Sequence, residues 1–212
     1  SINLHASLLP KYRGAAPINW ALIKGEETTG ITVIKMAKEM DAGPIILQKD
    51  IGISNDDTAI TLEDKISNLA AQLLLATLSS IEDNNYNLMP QDEDRVSFAP
   101  KLKKEDGRID WNKPAQDIYN LIRGCINWPG AFTYYNGKLL KIYRAKVSPL
   151  EALQAPMSPG EIVKVSKEGI TVVTGKDNLI IEELQIEGKR RMRVEEFIAG
   201  HKICIGEIFN KK

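Results

Sequence analysis

The chain has 212 residues, 43% apolar and 26% charged, with 28 Lys and Arg against 28 Asp and Glu, which is ordinary for a globular protein and suggests two domains, since domains run ~100–200 residues. No run of about 18 apolar residues is available to span a bilayer, and no basic stretch followed by an apolar one opens the chain, so neither a membrane segment nor a signal peptide is expected. The zero net charge conceals an asymmetry: residues 1–96 carry 8 basic and 14 acidic side chains, residues 97–212 carry 20 and 14. A basic second half fits a polyanionic partner, or simply a solvated surface.

Ile2-Asn3-Leu4-His5 alternates apolar with polar, as a strand with one buried face does, and so places Asn3 and His5 on the same face. The chain opens at Ser1 without an initiator Met, which fits a start lying further upstream. Pro17 and the spacing of Ile18, Ala21 and Leu22 predict a helix over 16–24, stopped by Gly25. Residues 31–36 and 45–51 read as strands, with KEMDAGP between them. Thr61 with Asp64 makes a capping box for an amphipathic helix over 61–82, whose Leu73-Leu74-Leu75 cluster is expected in the core. Residues 84–95 are polar and acidic, as a linker would be, giving domains over 1–95 and 96–212. The second has a helix over 115–123 and short strands near 130–136, 138–147, 160–166, 169–174, 178–186 and 203–209, the pattern of a small β-barrel. Cys125 and Cys204 lie far apart with no ligand spacing, so free thiols in a reducing cytoplasm are expected, with no metal site.

The chemistry concentrates at the front. Asn3 can donate to a carbonyl oxygen gaining charge, His5 can donate to the same oxygen or move a proton, and an acid can orient the imidazole; Asp41, in a loop with Gly43, supplies that acid. The bland alternative is that Asp41 caps a turn while Asn3 and His5 satisfy buried backbone groups.

NLHASLLPKYRGAAP, followed by TGITVIKMAKEMDAGPII and DTAITLEDKIS, resembles the folate-dependent formyltransferases. In that family Asn, His and Asp form the catalytic set, which implies catalytic roles for Asn3, His5 and Asp41. It also implies that Ser7, Leu8, Leu9 and Pro10 line the folate site, that a cis peptide precedes Pro10, and that 10-formyltetrahydrofolate is the co-substrate. FAPKLKKEDGRIDW, NLIRGCINWPGAFTYYNGKLLKI and LQIEGKRRMRVEEFIAG look like the C-terminal β-barrel of the methionyl-tRNA formyltransferase family, a domain absent from the glycinamide-ribonucleotide transformylases. The implied fold is α/β: the C-terminal portion of a Rossmann-like formyltransferase domain, lacking about 90–100 residues at its front, then a small OB-like β-barrel.

The implied activity is transfer of a formyl group to the free α-amine of initiator methionyl-tRNA by a monomeric cytoplasmic enzyme. The alternatives are an amino-sugar nucleotide formyltransferase and an inactive tRNA-binding fragment. For tRNA binding the candidates are Lys189, Arg190, Arg191 and Arg193, weighed against a solvated hairpin, with Lys101, Lys103, Lys104 and Arg123 weaker. Arg13 is a further candidate, to approach the acceptor substrate or to pair within its loop. Trp111, Trp128 and Phe132 are expected in the barrel core rather than stacked on bases, and His201 is taken as structural.

Overall fold

The computed structural model describes residues 1–149 and 157–209, which fall in two compact units, Ser1–Leu102 and Lys103–Lys212. Helices accompany a sheet in both, as the α/β class requires. In the first unit β1 (Ile2–His5) pairs antiparallel with β2 (Thr28–Lys35), and β2 with β3 (Ile45–Gly52), so β2 lies in the middle. The β-branched run of β2 is buried on both faces from Thr29 to Ile34, the environment that suits such side chains. None of these three strands pairs in parallel with another, so the parallel strand pairing typical of a Rossmann-like sheet is not seen among them.

Helix α1 (Pro17–Ile23) starts on a proline, whose missing N–H costs nothing in a first turn, and stops before Gly25 at φ +72°. Helix α2 (Ala59–Glu82) begins two residues before the expected 61, because its capping box is formed by Thr58 and Thr61 rather than Thr61 and Asp64. Of the apolar positions at helical spacing, Leu62, Ile66 and Leu73 are buried and Leu69 partly so, while Ala76 is exposed and Thr77 takes the inward place. Of the Leu73–Leu75 cluster only Leu73 is buried, and Leu75 is 70% exposed, since consecutive residues point about 100° apart around a helix.

Asp57, just ahead of α2, is buried and accepts from the Ser54 N–H (2.7 Å), Thr61 Oγ1 (3.0 Å) and Lys65 Nζ (2.7 Å). Burial pushes its carboxyl up, but the bonds from Lys65, Ser54 and Thr61 and the Lys65 charge outweigh it and hold the group below the usual carboxylate range. A pKa depressed by folding contributes stability above the unfolded value near ~4, and that contribution disappears as the pH falls through the folded value. Asp57→Asn should destabilise the first unit by about 1.5–3 kcal/mol at neutral pH and by progressively less below about pH 4. Denaturant melts at the two pH values check this; an equal loss at both would reject the ionic origin.

Residues 84–95 are more than a linker. Met89 exchanges backbone bonds with Ile45 (2.8 and 2.9 Å), Gln91 is buried, and Glu93–Arg95 form a 3-10 turn. Arg13 N–H donates to Ser97 O (2.9 Å) and Ala99 N–H to Arg13 O (2.8 Å), which draws the chain as far as Leu102 into the first unit.

In the second unit α3 (Ala115–Gly124) packs on a sheet of β4 (Ala131–Tyr135), β5 (Lys138–Ser148), β6 (Ile162–Ser166), β7 (Gly169–Val173) and β8 (Asn178–Ile186). The order is β4-β5-β8-β7-β6, antiparallel throughout, with β9 (Met192–Arg193) beside β8. Asn136-Gly137, both at positive φ, turn β4 into β5, a pair suited to the right-handed twist of a hairpin. The core centres on Trp111, stacked on Phe209 at 5.7 Å between ring centroids, with Ile118, Leu140, Ile162, Ile170, Leu179 and Phe197 around it. Residues 203–209 are not the expected strand: Gly206 at φ +87° turns the chain, leaving one bridge, Glu161 to Ile208. Helix α4 (Val194–Gly200), not anticipated, precedes them.

Candidate active site

The end of β1 places the first two side chains. Asn3 lies opposite Ile34 and His5 opposite Thr32 in the β1–β2 register, and their two-residue spacing sends both to one face. Asp41 comes from the turn between β2 and β3. Its backbone is left-handed, φ +54°, a conformation that a residue with a Cβ adopts only where its surroundings hold it. Asn3 Nδ2 donates to Asp41 Oδ1 at 3.4 Å, while His5 Nδ1 faces Asp41 Oδ2 at 3.4 Å. The Gly14 N–H donates to the same Oδ2 at 3.0 Å, and His5 Nε2 lies 2.8 Å from Tyr12 O. His5 is 6% exposed and Asp41 11%, so their contact is largely shielded from solvent.

The segment after His5 is pinned by two polar side chains from the sheet. Thr32 Oγ1 donates to Ser7 O (2.6 Å) and accepts from the Leu9 N–H (3.1 Å); Gln48 Nε2 donates to Leu9 O (3.0 Å) and to Thr32 Oγ1 (2.7 Å). Ser7 Oγ is fully buried and donates to Lys11 O (2.6 Å), so it braces the loop. The Leu9-Pro10 peptide is cis. Leu8, Leu9 and Pro10 line a cleft of about 260 Å³ with Lys11, Tyr12, Thr28, Gln48 and Arg95. Asn3, His5 and Asp41 are not part of its wall. Tyr12 donates its hydroxyl to Glu26 (2.7 Å), and burial together with that carboxylate pushes the phenol well above its ordinary range.

Chemically, an amide, an imidazole and a carboxylate converge. Asn3 has two N–H groups and gives one to Asp41, which leaves the other for an incoming oxygen. Both His5 ring nitrogens face oxygen acceptors, so the imidazole reaches a substrate by giving up one contact. The longer, to Asp41, is the easier to exchange.

Arg13 is not at an open surface. It is 6% exposed and its guanidinium donates to Gln91 Oε1 (3.1 and 2.8 Å) and to Glu93 (2.9 and 3.3 Å), so its ion pair is made with a segment 80 residues further on, neither within its own loop nor at an exposed surface. Gln91, Thr32 and Gln48 were not singled out in the sequence. A Gln following a proline in an otherwise charged stretch carries no local signal of burial.

In the second unit Lys189, Arg190, Arg191 and Arg193 are exposed around the β8–β9 turn. Arg190 pairs with Glu196, while Arg191 pairs with Glu183 and lies over the Tyr143 ring at 4.4 Å, so part of the strip's charge is matched locally. Lys101, Lys103 and Lys104 are exposed, whereas Arg123 is buried with its Nε donating to Asn120 (2.9 Å). Trp111 and Phe132 are core. Trp128, expected there, is 55% exposed, although its neighbours Pro129 and Gly130 are buried. His201 stacks on Phe197 at 4.4 Å and bonds its carbonyl. Both cysteines are free; burial, aided by Asp106, pushes the Cys125 thiol up to about 12.

Two family models match the chain: one for formyl transferase over residues 1–78 and one for the formyl transferase C-terminal domain over residues 101–202. Among curated relatives, the methionyl-tRNA formyltransferase of Acetivibrio thermocellus is 46% identical over 210 residues, covering 99% of this chain and 67% of the relative. That of Alkaliphilus oremlandii is 45% identical over 210 residues with the same coverage. The chain thus spans about two thirds of the length of these relatives. Among solved structures, the fold is similar to the N-formyltransferase from Helicobacter canadensis in complex with folinic acid and dTDP-3-aminofucose, with TM-score 0.69, 22% identity, and coverage of 85% of this chain and 65% of that one.

Proposed function

The chain belongs to the methionyl-tRNA formyltransferase family, and on that premise we propose that it transfers a formyl group from 10-formyltetrahydrofolate to the free α-amine of methionyl-tRNA, giving formylmethionyl-tRNA for translation initiation. The observation that carries this reading is the convergence of Asn3 and His5 from β1 with Asp41 from the β2–β3 turn, each contact to Asp41 3.4 Å. The amine must be neutral to attack, and an α-amine titrates near ~8, so it needs little help from a base. As its nitrogen bonds to the formyl carbon, the formyl oxygen gains negative charge. The free Asn3 N–H and a His5 ring N–H are the donors for that oxygen. Asp41, which holds His5 before the substrate arrives, takes or relays the amine's proton, the bond from carbon to the folate nitrogen breaks, and that nitrogen is protonated to release tetrahydrofolate.

Ser7 has no exposed surface and braces the loop instead of lining the cleft; for the folate we infer contact with Leu8, Leu9 and Pro10. Its support is the apolar wall of Leu8, Leu9 and Pro10 beside the polar Thr28 and Gln48, a lining that suits a flat heterocycle with a polar rim. For the second unit we infer a small OB-like barrel that grips tRNA, supported by the antiparallel strand order and the exposed basic residues Lys189, Arg190, Arg191 and Arg193. We place the reaction in the cytoplasm, by a monomer.

The test is formyl transfer by the enzyme at the full length of its relatives, with methionyl-tRNA and an amino-sugar nucleotide offered as competing acceptors. Formylated tRNA is the expected product; a formylated sugar alone, or no product, would reject the reading. Replacing Lys189, Arg190 and Arg191 by alanine should raise the KM for methionyl-tRNA and leave the rate at saturating tRNA nearly intact. With the local pairing of Arg190 and Arg191, two phosphate contacts are the realistic loss, so the slope of log affinity against log salt should flatten by about 1.5 units. An unchanged slope would remove these residues from the interface.

A further inference from the structure

The Asp41 turn is held from outside. Within it, one long backbone bond runs from the Ala42 N–H to Glu39 O (3.4 Å), while Lys35 N–H bonds Pro44 O (3.0 Å) at its base. A Cβ at Gly43 would fall 1.8 Å from Lys35 O, so the turn is pressed against β2 as closely as a glycine allows. The carbonyls of Asp41 and Gly43 are both met by one group, the amide nitrogen of Gln91, at 2.7 and 2.8 Å. An amide has two N–H groups, one for each carbonyl. Its orientation is fixed from behind, because Oε1 accepts from Arg13 Nε and Nη2 (3.1 and 2.8 Å), and Arg13 is anchored in turn on Glu93. A flipped amide would set its nitrogen against the guanidinium and its oxygen against two carbonyls. Gln91 and Arg13 are 8% and 6% exposed, so water does not substitute for these bonds.

We propose that Gln91 is a positioning residue for the reaction: its amide, oriented by Arg13, locks Asp41 in the left-handed backbone conformation that aims the carboxylate at Asn3 and His5. The inference rests on the formyl-transfer reading above and adds to it a residue from the stretch between α2 and the second unit. Gln91 touches no reacting atom. It acts on where Asp41 stands, so its loss should slow the chemical step without weakening either substrate.

Two variants in the full-length enzyme test it. Gln91→Glu keeps the length and the Arg13 contact but sets an oxygen against the two carbonyls; Gln91→Met keeps the bulk and removes the polar groups. Each should lower kcat about 10–100-fold, as misplacement of a reacting group by about 1 Å does, with KM for methionyl-tRNA and for the formyl-folate within about twofold of wild type. Circular dichroism at the assay temperature reports the folded fraction. A wild-type kcat in either folded variant, or a raised KM at unchanged kcat, overturns the proposal, and so does failure of both to fold, which would make Gln91 a stability residue. A wild-type enzyme that formylates no methionyl-tRNA would overturn the reaction assignment and this proposal with it; an active wild type with unaffected variants would overturn the positioning role alone.

Discussion

Asn3→Ala, His5→Ala and Asp41→Asn should each cut formyl transfer at saturating substrates by about 10²–10³, the usual cost of removing one preorganised group that meets developing charge. The three fail for different reasons. Asn3→Ala removes the amide N–H that Asp41 leaves free. His5→Ala removes the ring between Asp41 and Tyr12 O. Asp41→Asn keeps the shape of the side chain and its acceptor for the Gly14 N–H, but it takes away the negative charge beside Asn3 and His5. Because the groups act as a unit, the Asp41→Asn/His5→Ala double variant should be little slower than His5→Ala alone. Single-turnover formylation, with folding monitored in parallel, measures this; near-normal turnover in Asp41→Asn would take that residue out of the chemistry.

Trp111→Ala should destabilise the second unit by about 3–5 kcal/mol, the range for truncating a fully buried aromatic. The indole is 2% exposed, stacks on Phe209 and donates its N–H to Thr133 Oγ1 at 3.1 Å, so the substitution leaves both a cavity and an unmet hydroxyl. Trp111→Phe keeps a ring against Phe209 and should cost less, about 1–2 kcal/mol for the lost hydrogen bond and the smaller volume. Chemical denaturation of the whole chain, followed through probes in each unit, separates the two. A loss under about 1 kcal/mol in Trp111→Ala would mean that the site collapses around the missing ring.

What the sequence made legible follows the range of the interactions involved. The alternation in Ile2–His5 and the β-branched run of β2 are local patterns, and each became the strand it predicted. The two-residue spacing likewise puts Asn3 and His5 on one face. The capping box was misplaced by one turn because Thr58 and Thr61 are both threonines at the right interval, and only the fold shows which one starts the helix. The 203–209 stretch has strand-like composition, but a glycine at positive φ overrides composition. Arg13 and Gln91 lie 78 residues apart in the chain, and no local pattern signals that they meet. Their burial depends on the chain returning past β3 after α2, which periodicity cannot show.

The hydroxyl of Thr32 has a consequence for how the sheet keeps its phase. A strand displaced by one residue against its neighbour turns every side chain to the opposite face, and β1 is only four residues long, with few backbone bonds to oppose such a slip. Thr32 stands opposite His5 and at the same time grips the loop two and four residues further on, through Ser7 O and the Leu9 N–H, with Gln48 of β3 holding both Thr32 and Leu9 O. One side chain thus indexes three segments against each other, like a key cut to a single notch. A shifted β1 would forfeit these bonds together, so the alignment that delivers Asn3 and His5 to the same side is enforced from beyond the strand's own end.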